Sequence, residues 1–193
     1  MKVLVKEVKR VFDDFFKIDK ATLQYEKFDG SLSKESYRLN FNRGHSVAVL
    51  LYNPEDKTLI FTRQFRFPAF VGAPEHAWIL EIVAGMLEPD ESPEATVVRE
   101  ALEETGYRIS DPQFIYEFFV SPGGTSEKIF LYFATVFSSA RESAGGGIVE
   151  EGEDIRVEHI PVKQALSMMN NGEICDAKTI IALQWFEKNM DYL

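Results

Sequence analysis

The sequence predicts an α/β protein, a sandwich of interleaved strands and helices with a small antiparallel β-sheet at its N-terminal end. Three observations carry that reading. Residues up to 42 show strand-like alternation broken by a turn. The run "HSVAVLLYN" is apolar almost throughout. A helix with a clean start and stop follows at 93–105, between further strands.

In chain order, Leu23/Tyr25 and then Tyr37/Leu39/Phe41 alternate, with Asp29-Gly30 between them as a turn signal. These residues form an N-terminal β unit, 1–42. The character changes near Gly44. "HSVAVLLYN" suits a strand covered on both faces. Asn53-Pro54 breaks it, and "TLIFTRQFRFP" resumes as a strand. "AWILEIVAG" reads as one further apolar strand with Glu81 inside it. Ser92 is placed to cap a helix, Pro93 to begin it, and Glu94 to favour its positive end. Val98, Ala101, Leu102 and Thr105 recur at helical spacing and should face the core, and Gly106 stops the helix. "QFIYEFFV" and "KIFLYFATVF" are strands on either side of the loop "SPGGTSE". "ESAGGGIVEEGED" reads as a flexible loop rich in glycine and acid. "IRVEHI" is a short strand, followed by helices over 161–170 and 176–190.

Composition bounds the function. The 193 residues are 45% apolar and 13% aromatic, enough for one substantial domain with a small appendage. Lys and Arg number 21 against 31 Asp and Glu, a net charge of −10, which argues against binding nucleic acid or an anionic membrane. An anionic substrate would need positive charge from another source. Cys175 is the single cysteine, so no intrachain disulfide forms, and it reads as a small buried or half-buried side chain. The N-terminus has no signal-like apolar core. "IFLYFATVF" is far short of the roughly 20 residues of a spanning helix, so a cytoplasmic protein is expected. His45, His76 and His159 are scattered singly and take no ligand role.

The chemistry concentrates in "REALEE". At about 100° per residue, Glu100, Glu103 and Glu104 fall within one arc of about 100°. Repulsion at these spacings is a few tenths of a kcal/mol per pair, which a solvated helix face tolerates. Two features point past that plain reading. A glycine-containing loop, "AGMLEPDES", would bring backbone close to the helix. A second acidic cluster, Glu150, Glu151, Glu153 and Asp154, follows a glycine run. Carboxylates converging from a helix and a loop make a hard-oxygen site for Mg²⁺ or Mn²⁺, which would let the site accept phosphates.

The stretch from Gly85 to Tyr107, "GMLEPDESPEATVVREALEETGY", resembles the Nudix box, G-x5-E-x7-R-E-U-x-E-E-x-G-U, with U a bulky apolar residue. Gly85, Glu91, Arg99, Glu100, Glu103, Glu104 and Gly106 fill every fixed position, while Ala101 is smaller than the usual residue at its U position. The resemblance implies an α/β/α sandwich, with residues 43–193 as the hydrolase domain and 1–42 serving dimerisation and substrate binding. It implies metal-dependent hydrolysis of a nucleoside diphosphate linked to another group. Glu100 and Glu104 would be the main metal ligands. Glu103 would be a further ligand, directly or through water, the Ala84 carbonyl would complete the sphere, and Arg99 would pair with a box glutamate.

Outside the box, Pro122, sixteen residues after Gly106, resembles the ADP-ribose pyrophosphatase subgroup, as do "EEGEDIRV" and "IIALQWF"; "SAGGG" resembles the GDP-mannose pyrophosphatases. This implies a nucleotide-sugar substrate, ADP-ribose first and GDP-mannose as the alternative, and a homodimer. Glu151 would be the base and Glu153 an added metal ligand. Arg66 would bind phosphate, because a guanidinium matches phosphate oxygens in pairs. Glu127 would reach the metals or the ribose. Glu81, in an apolar strand, needs a partner, which ligand support or a structural hydrogen bond would supply equally well. Tyr25 and Phe28 are candidates for stacking on the base. A non-catalytic nucleotide sensor and an acidic interaction module are the competing classes. The complete box argues against the first, and a metal-dependent thermal shift would exclude the second.

Overall fold

The computed structural model describes residues 1–192, with Glu151 described by its backbone alone. The chain divides into two compact units, one of residues 1–45 with 118–128, the other of 46–117 with 129 onward. The first unit holds an antiparallel sheet in the order β1 (Val3–Asp13), β2 (Lys17–Tyr25), β3 (Ser36–Asn42). The Lys27–Ser31 turn carries Gly30 at φ 81°. Residues 118–128 join this unit at β3: the Phe41 amide donates to the Gly124 carbonyl at 2.9 Å, and the Thr125 hydroxyl donates to the Phe41 carbonyl at 2.8 Å. The first strand lacks a clean period of two in its sequence, and its length comes from its pairing with β2.

The second unit is built on β4 (Ser46–Asn53), in which every residue but Tyr52 is buried. It pairs with β5 (Thr58–Phe65) on one side. A short helix α1 (Phe67–Gly72) follows β5 where the sequence suggested only strand and loop. "AWILEIVAG" is two strands rather than one. β6 (Trp78–Glu81) pairs with β5, and β7 (Val83–Met86) pairs with β4, the switch occurring at Ile82. The Ile82 amide, freed from either ladder, donates to the Thr179 hydroxyl at 3.0 Å. Then come α2 (Pro93–Thr105), β8 (Gln113–Phe119), β9 (Lys128–Thr135), β10 (Arg156–Pro161), α3 (Val162–Asn170) and α4 (Ala177–Asn189). The main sheet runs β10-β5-β4-β9-β8, with β9 parallel to β4.

Alternation along β4 explains the layers, because successive side chains point to opposite faces. Val47, Val49 and Leu51 join Val83, Val97, Ala101, Tyr107 and Tyr132 in a core beneath α2. On the opposite face α4 packs on β4, and Phe186 lies against Tyr52 and Phe133 with ring centroids 5.2 and 6.1 Å apart. Helices on both faces of a mixed sheet make an α/β/α sandwich. Cys175 is exposed, not buried, because it lies in the turn before α4 while its neighbour Ile174 takes the inward position. Among the described residues no helix is long and apolar enough to cross a membrane.

Phe186 is fully buried between ring neighbours, and its loss leaves a cavity that the sheet cannot close. Phe186→Ala is expected to lower unfolding free energy by about 3–5 kcal/mol, read from urea titration of the metal-free protein.

Candidate active site

Helix α2 starts and stops as its sequence dictates. The Ser92 hydroxyl accepts the Ala95 amide at 3.1 Å, Pro93 occupies the first turn, and Gly106 ends the helix at φ 77°. Its inward face differs from the apolar set read from spacing. Thr96, Val97, Glu100, Ala101, Glu104 and Thr105 are buried, whereas Val98 and Leu102 are half-buried. The helix therefore turns two carboxylates toward the sheet, Glu104 being only 2% exposed.

Gly85 makes room for them. A Cβ at this position would coincide with the Glu100 carboxylate. One strand position earlier, the Ala84 amide donates to Glu104 Oε2 at 3.3 Å, the one hydrogen bond that carboxylate receives among the described residues. Burial pushes the Glu104 carboxyl well above the usual range, and the charges of Glu100 and Glu81 push it further. Burial also raises Glu100, to about 7. The Arg99 guanidinium opposes that rise, and Glu103 and Glu153 add to it.

Arg99 ties the outer carboxylates together. Its Nη1 lies 2.8 Å from Glu103 and 2.9 Å from Glu100, and its Nη2 lies 3.3 Å from Glu91. Glu91 in turn accepts the Thr96 hydroxyl at 2.8 Å, so the loop before the helix is fastened to it.

The glycine-rich segment after β9 is not a free loop. The Gly146 amide donates to the Glu104 carbonyl at 2.9 Å, and the Gly147 amide to the Glu103 carbonyl at 3.1 Å. These are carbonyls that a helix end leaves unsatisfied. The acidic residues follow directly. Glu153 folds back to accept the Ile148 amide at 2.8 Å and is half-buried; Glu150 and Asp154 are exposed. The Glu151 side chain, expected as the base, lies outside the described residues.

Glu81 and Arg66 come together. Arg66 Nε donates to Glu81 Oε1 at 2.7 Å, while its Nη atoms donate no hydrogen bond among the described residues. Lys178, the first-turn lysine of α4, pairs with the other Glu81 oxygen and, at 3.1 Å, with Asp176. Burial works against charge on Glu81, yet Lys178 and Arg66 outweigh it and hold its carboxyl below the usual range. Sequence reasoning missed Lys178, since a lysine in the first turn of an amphipathic helix reads as a surface charge. Its one sequence signal was the unpaired Glu81. Glu127, in the first unit, is buried and lies 3.6 Å from Arg43. In that unit Phe28 is fully exposed and Tyr25 partly so.

Among the described residues no three His, Cys, Asp or Glu side chains are already gathered as a metal cage. Arg99 engages Glu100 and Glu103, and Glu153 is turned to Ile148. The donor set nonetheless fits a hard divalent cation. Burial raises both carboxyls, the Glu100 charge raises Glu104 further, and among the described residues Glu104 receives one hydrogen bond, from the Ala84 amide. Glu100 and Glu104 would hold such an ion, with Glu103 and Glu153 beside them.

The sequence pattern of the NUDIX domain matches residues 42–183, which include this whole arrangement. The chain belongs to the Nudix family. Nudix hydrolases generally use divalent metals such as Mg²⁺. Curated relatives share 38% identity over 184 residues in Escherichia coli O1:K1, covering 95% of this chain and 94% of that protein. A Pectobacterium atrosepticum protein shares 38% over 188 residues, with 94% and 95% covered. One from Shigella boydii serotype 4 shares 36% over 184 residues, with 95% and 94% covered. All three are named GDP-mannose pyrophosphatase.

The raised carboxyls have a consequence for this Nudix protein without metal. Glu100 binds a proton more tightly folded than unfolded, so its contribution to stability falls as pH rises from 4.5 to about 7 and stays low above. In EDTA, Glu100→Gln is expected to gain melting temperature over the wild type across that window and keep the gain at higher pH. A difference independent of pH would contradict it.

Proposed function

We propose that this Nudix hydrolase cleaves the diphosphate bond of a nucleoside diphosphate sugar, GDP-mannose before ADP-ribose, with Mg²⁺ as the working ion and Mn²⁺ as a substitute. The observation that carries the reading is the buried pair Glu100 and Glu104 on α2, packed on Gly85. The name the relatives share supports GDP-mannose over ADP-ribose, the first expectation from the sequence. Water adds to one phosphorus, the bridging P–O bond breaks, and the products are GMP and mannose 1-phosphate.

The residues divide the work. A bound divalent ion would neutralise diphosphate charge and lower the pKa of the attacking water. Glu100 and Glu104, with Glu103, Glu153 and the Ala84 carbonyl, would hold it. Arg66, gripped at Nε by Glu81, keeps its Nη atoms for phosphate oxygens. Glu81 and Lys178 fix that orientation. Arg99 holds together Glu100 and Glu103, two of the carboxylates that would hold the ion. Glu151 is the proposed base, taking the proton of the attacking water. Glu127 is proposed to contact the ribose.

Comparing kcat/KM for GDP-mannose and ADP-ribose with Mg²⁺ tests the substrate, and ¹⁸O-labelled water locates the bond cut. GDP-mannose is expected to lead by about tenfold or more, since a base-specific hydrogen-bonding site rejects a mispaired ligand strongly. Equal and poor rates on both would overturn the substrate reading.

We also propose a homodimer formed through the first unit. Its edge strand β1 is exposed along all eleven residues, including Val3, Val5, Val8 and Phe12. A long apolar edge of this kind seeks a partner. Size-exclusion chromatography with light scattering should give a dimer for the wild type and a monomer for the variant combining Val5→Lys and Val8→Lys. A monomeric wild type would refute it.

A further inference from the structure

Three glycines in a row, Gly145 to Gly147, lie between β9 and the acidic residues, and the chemistry proposed above uses none of them. All three have positive φ, at 71°, 117° and 80°, a region where other residues are strained. The space around them is as restrictive as the angles. A Cβ on Gly145 would fall 2.5 Å from the Glu104 carbonyl oxygen and 2.6 Å from the Thr105 backbone. A Cβ on Gly147 would run into the Glu153 side chain, its Cβ at 2.8 Å. Gly106 meets the same segment from the other side: a Cβ there would strike the Ser143 backbone.

Close approach allows a set of hydrogen bonds. The Glu142 amide donates to the Gly106 carbonyl at 2.7 Å, the Gly146 amide to Glu104 and the Gly147 amide to Glu103. Residues 142–147 thus form a strap across the end of α2. The strap also closes the acidic segment, because the Ile155 amide donates back to the Gly146 carbonyl at 3.2 Å and Ile155 is buried. Residues 147–154 therefore begin and end on a backbone anchored to the residues that carry two of the box carboxylates. Glu153, held on Ile148 within that closed segment, lies near enough to Glu100 for the two charges to feel each other.

We propose that Gly145 and Gly147 are positioning residues for the divalent-cation site: the strap holds the last turn of α2, with Glu103 and Glu104, and the acidic segment, with Glu153, at a fixed spacing. This rests on the reading of those carboxylates as cation ligands. Neither glycine touches substrate. Gly145 acts through the backbone of Glu104 and Thr105, Gly147 through the placement of the Glu153 side chain. A strap of ordinary residues would stand off the helix end by the width of a side chain and carry the loop carboxylate with it.

The test compares Gly145→Ala and Gly147→Ala with Gly172→Ala. Gly172 also has positive φ, 83°, but open space around it and a place between α3 and α4, so its variant carries the same backbone strain without touching the strap. Mn²⁺ affinity is read by the free-ion EPR signal without substrate, and kcat and KM are read with the nucleotide sugar. Gly145→Ala and Gly147→Ala are expected to weaken Mn²⁺ binding about tenfold or more and to lower kcat with KM moved less than about twofold, as loss of outer support does in metal sites. Gly172→Ala should match the wild type in all three. Strap variants that bind Mn²⁺ as tightly as Gly172→Ala overturn the proposal. If Gly145→Ala fails to fold, Gly147→Ala decides alone, because its obstacle is a side chain rather than backbone. If the wild type binds Mn²⁺ but cleaves no nucleotide sugar, the substrate reading fails and the EPR comparison still judges the strap. A wild type that binds no Mn²⁺ overturns both.

Discussion

Two carboxylates buried on the inward side of one helix set the terms for the rest of this structure. Glu100 and Glu104 occupy positions where α2 would ordinarily place leucine or valine, and each loses solvation by being there. The surroundings adapt to them more than they adapt to the surroundings. Gly85 withdraws its side chain so that Glu100 can lie on the strand, and the Ala84 amide turns to Glu104. Val97 and Ala101 supply on the same face the apolar contact that fastens the helix to β4 and β7. The helix is thus held by half of its buried face and kept under electrostatic load by the other half.

That load is balanced in tiers of different reach. Arg99 takes the carboxylates nearest the surface, at distances of 2.8–3.3 Å. Arg66 and Lys178 take Glu81, one layer further in, and Lys178 is anchored in turn by Asp176 at the start of α4. Among the described residues Glu104 lies between these tiers with no cation within ion-pair distance, although the Arg66 charge acts on it from further off. The sandwich therefore brings both of its helical layers to bear on one patch of charge, α2 presenting the carboxylates and α4 steadying the group that orients Arg66.

Much of this was legible in the sequence, and the failures have physical causes. Ser92, Pro93 and Gly106 announced α2 because caps are local chemistry. The doubly buried β4 announced itself by its unbroken apolar run. The box spacing pointed to Glu100, Glu103, Glu104 and Arg99, but spacing alone assigned the inward face to Val98 and Leu102, because a helical wheel cannot reveal that a glycine on a neighbouring strand has made space for carboxylates. The break in "AWILEIVAG" was invisible for a similar reason: both halves are equally apolar, and only pairing partners distinguish them. Composition made the "SAGGG" stretch look mobile. Its amides are instead spent on the carbonyls of Glu103 and Glu104, a long-range match that no local window contains. Lys178 was hidden because its partner lies 97 residues away.

The change of partner at Ile82 gives the chain a phase marker. Side chains alternate along an extended segment, so one residue fixes the parity between what β6 and β7 present to each layer. With the present count, the odd-numbered Glu81 and Gly85 and the even-numbered Ile82 and Ala84 fall where α2 and α4 each need them. A deletion of one residue there would invert that parity for everything downstream on β7, placing the Met86 side chain where Gly85 now leaves room for Glu100. An exchange of side chains at Ile82 would leave the count intact, so its cost would be confined to the packing around one buried residue.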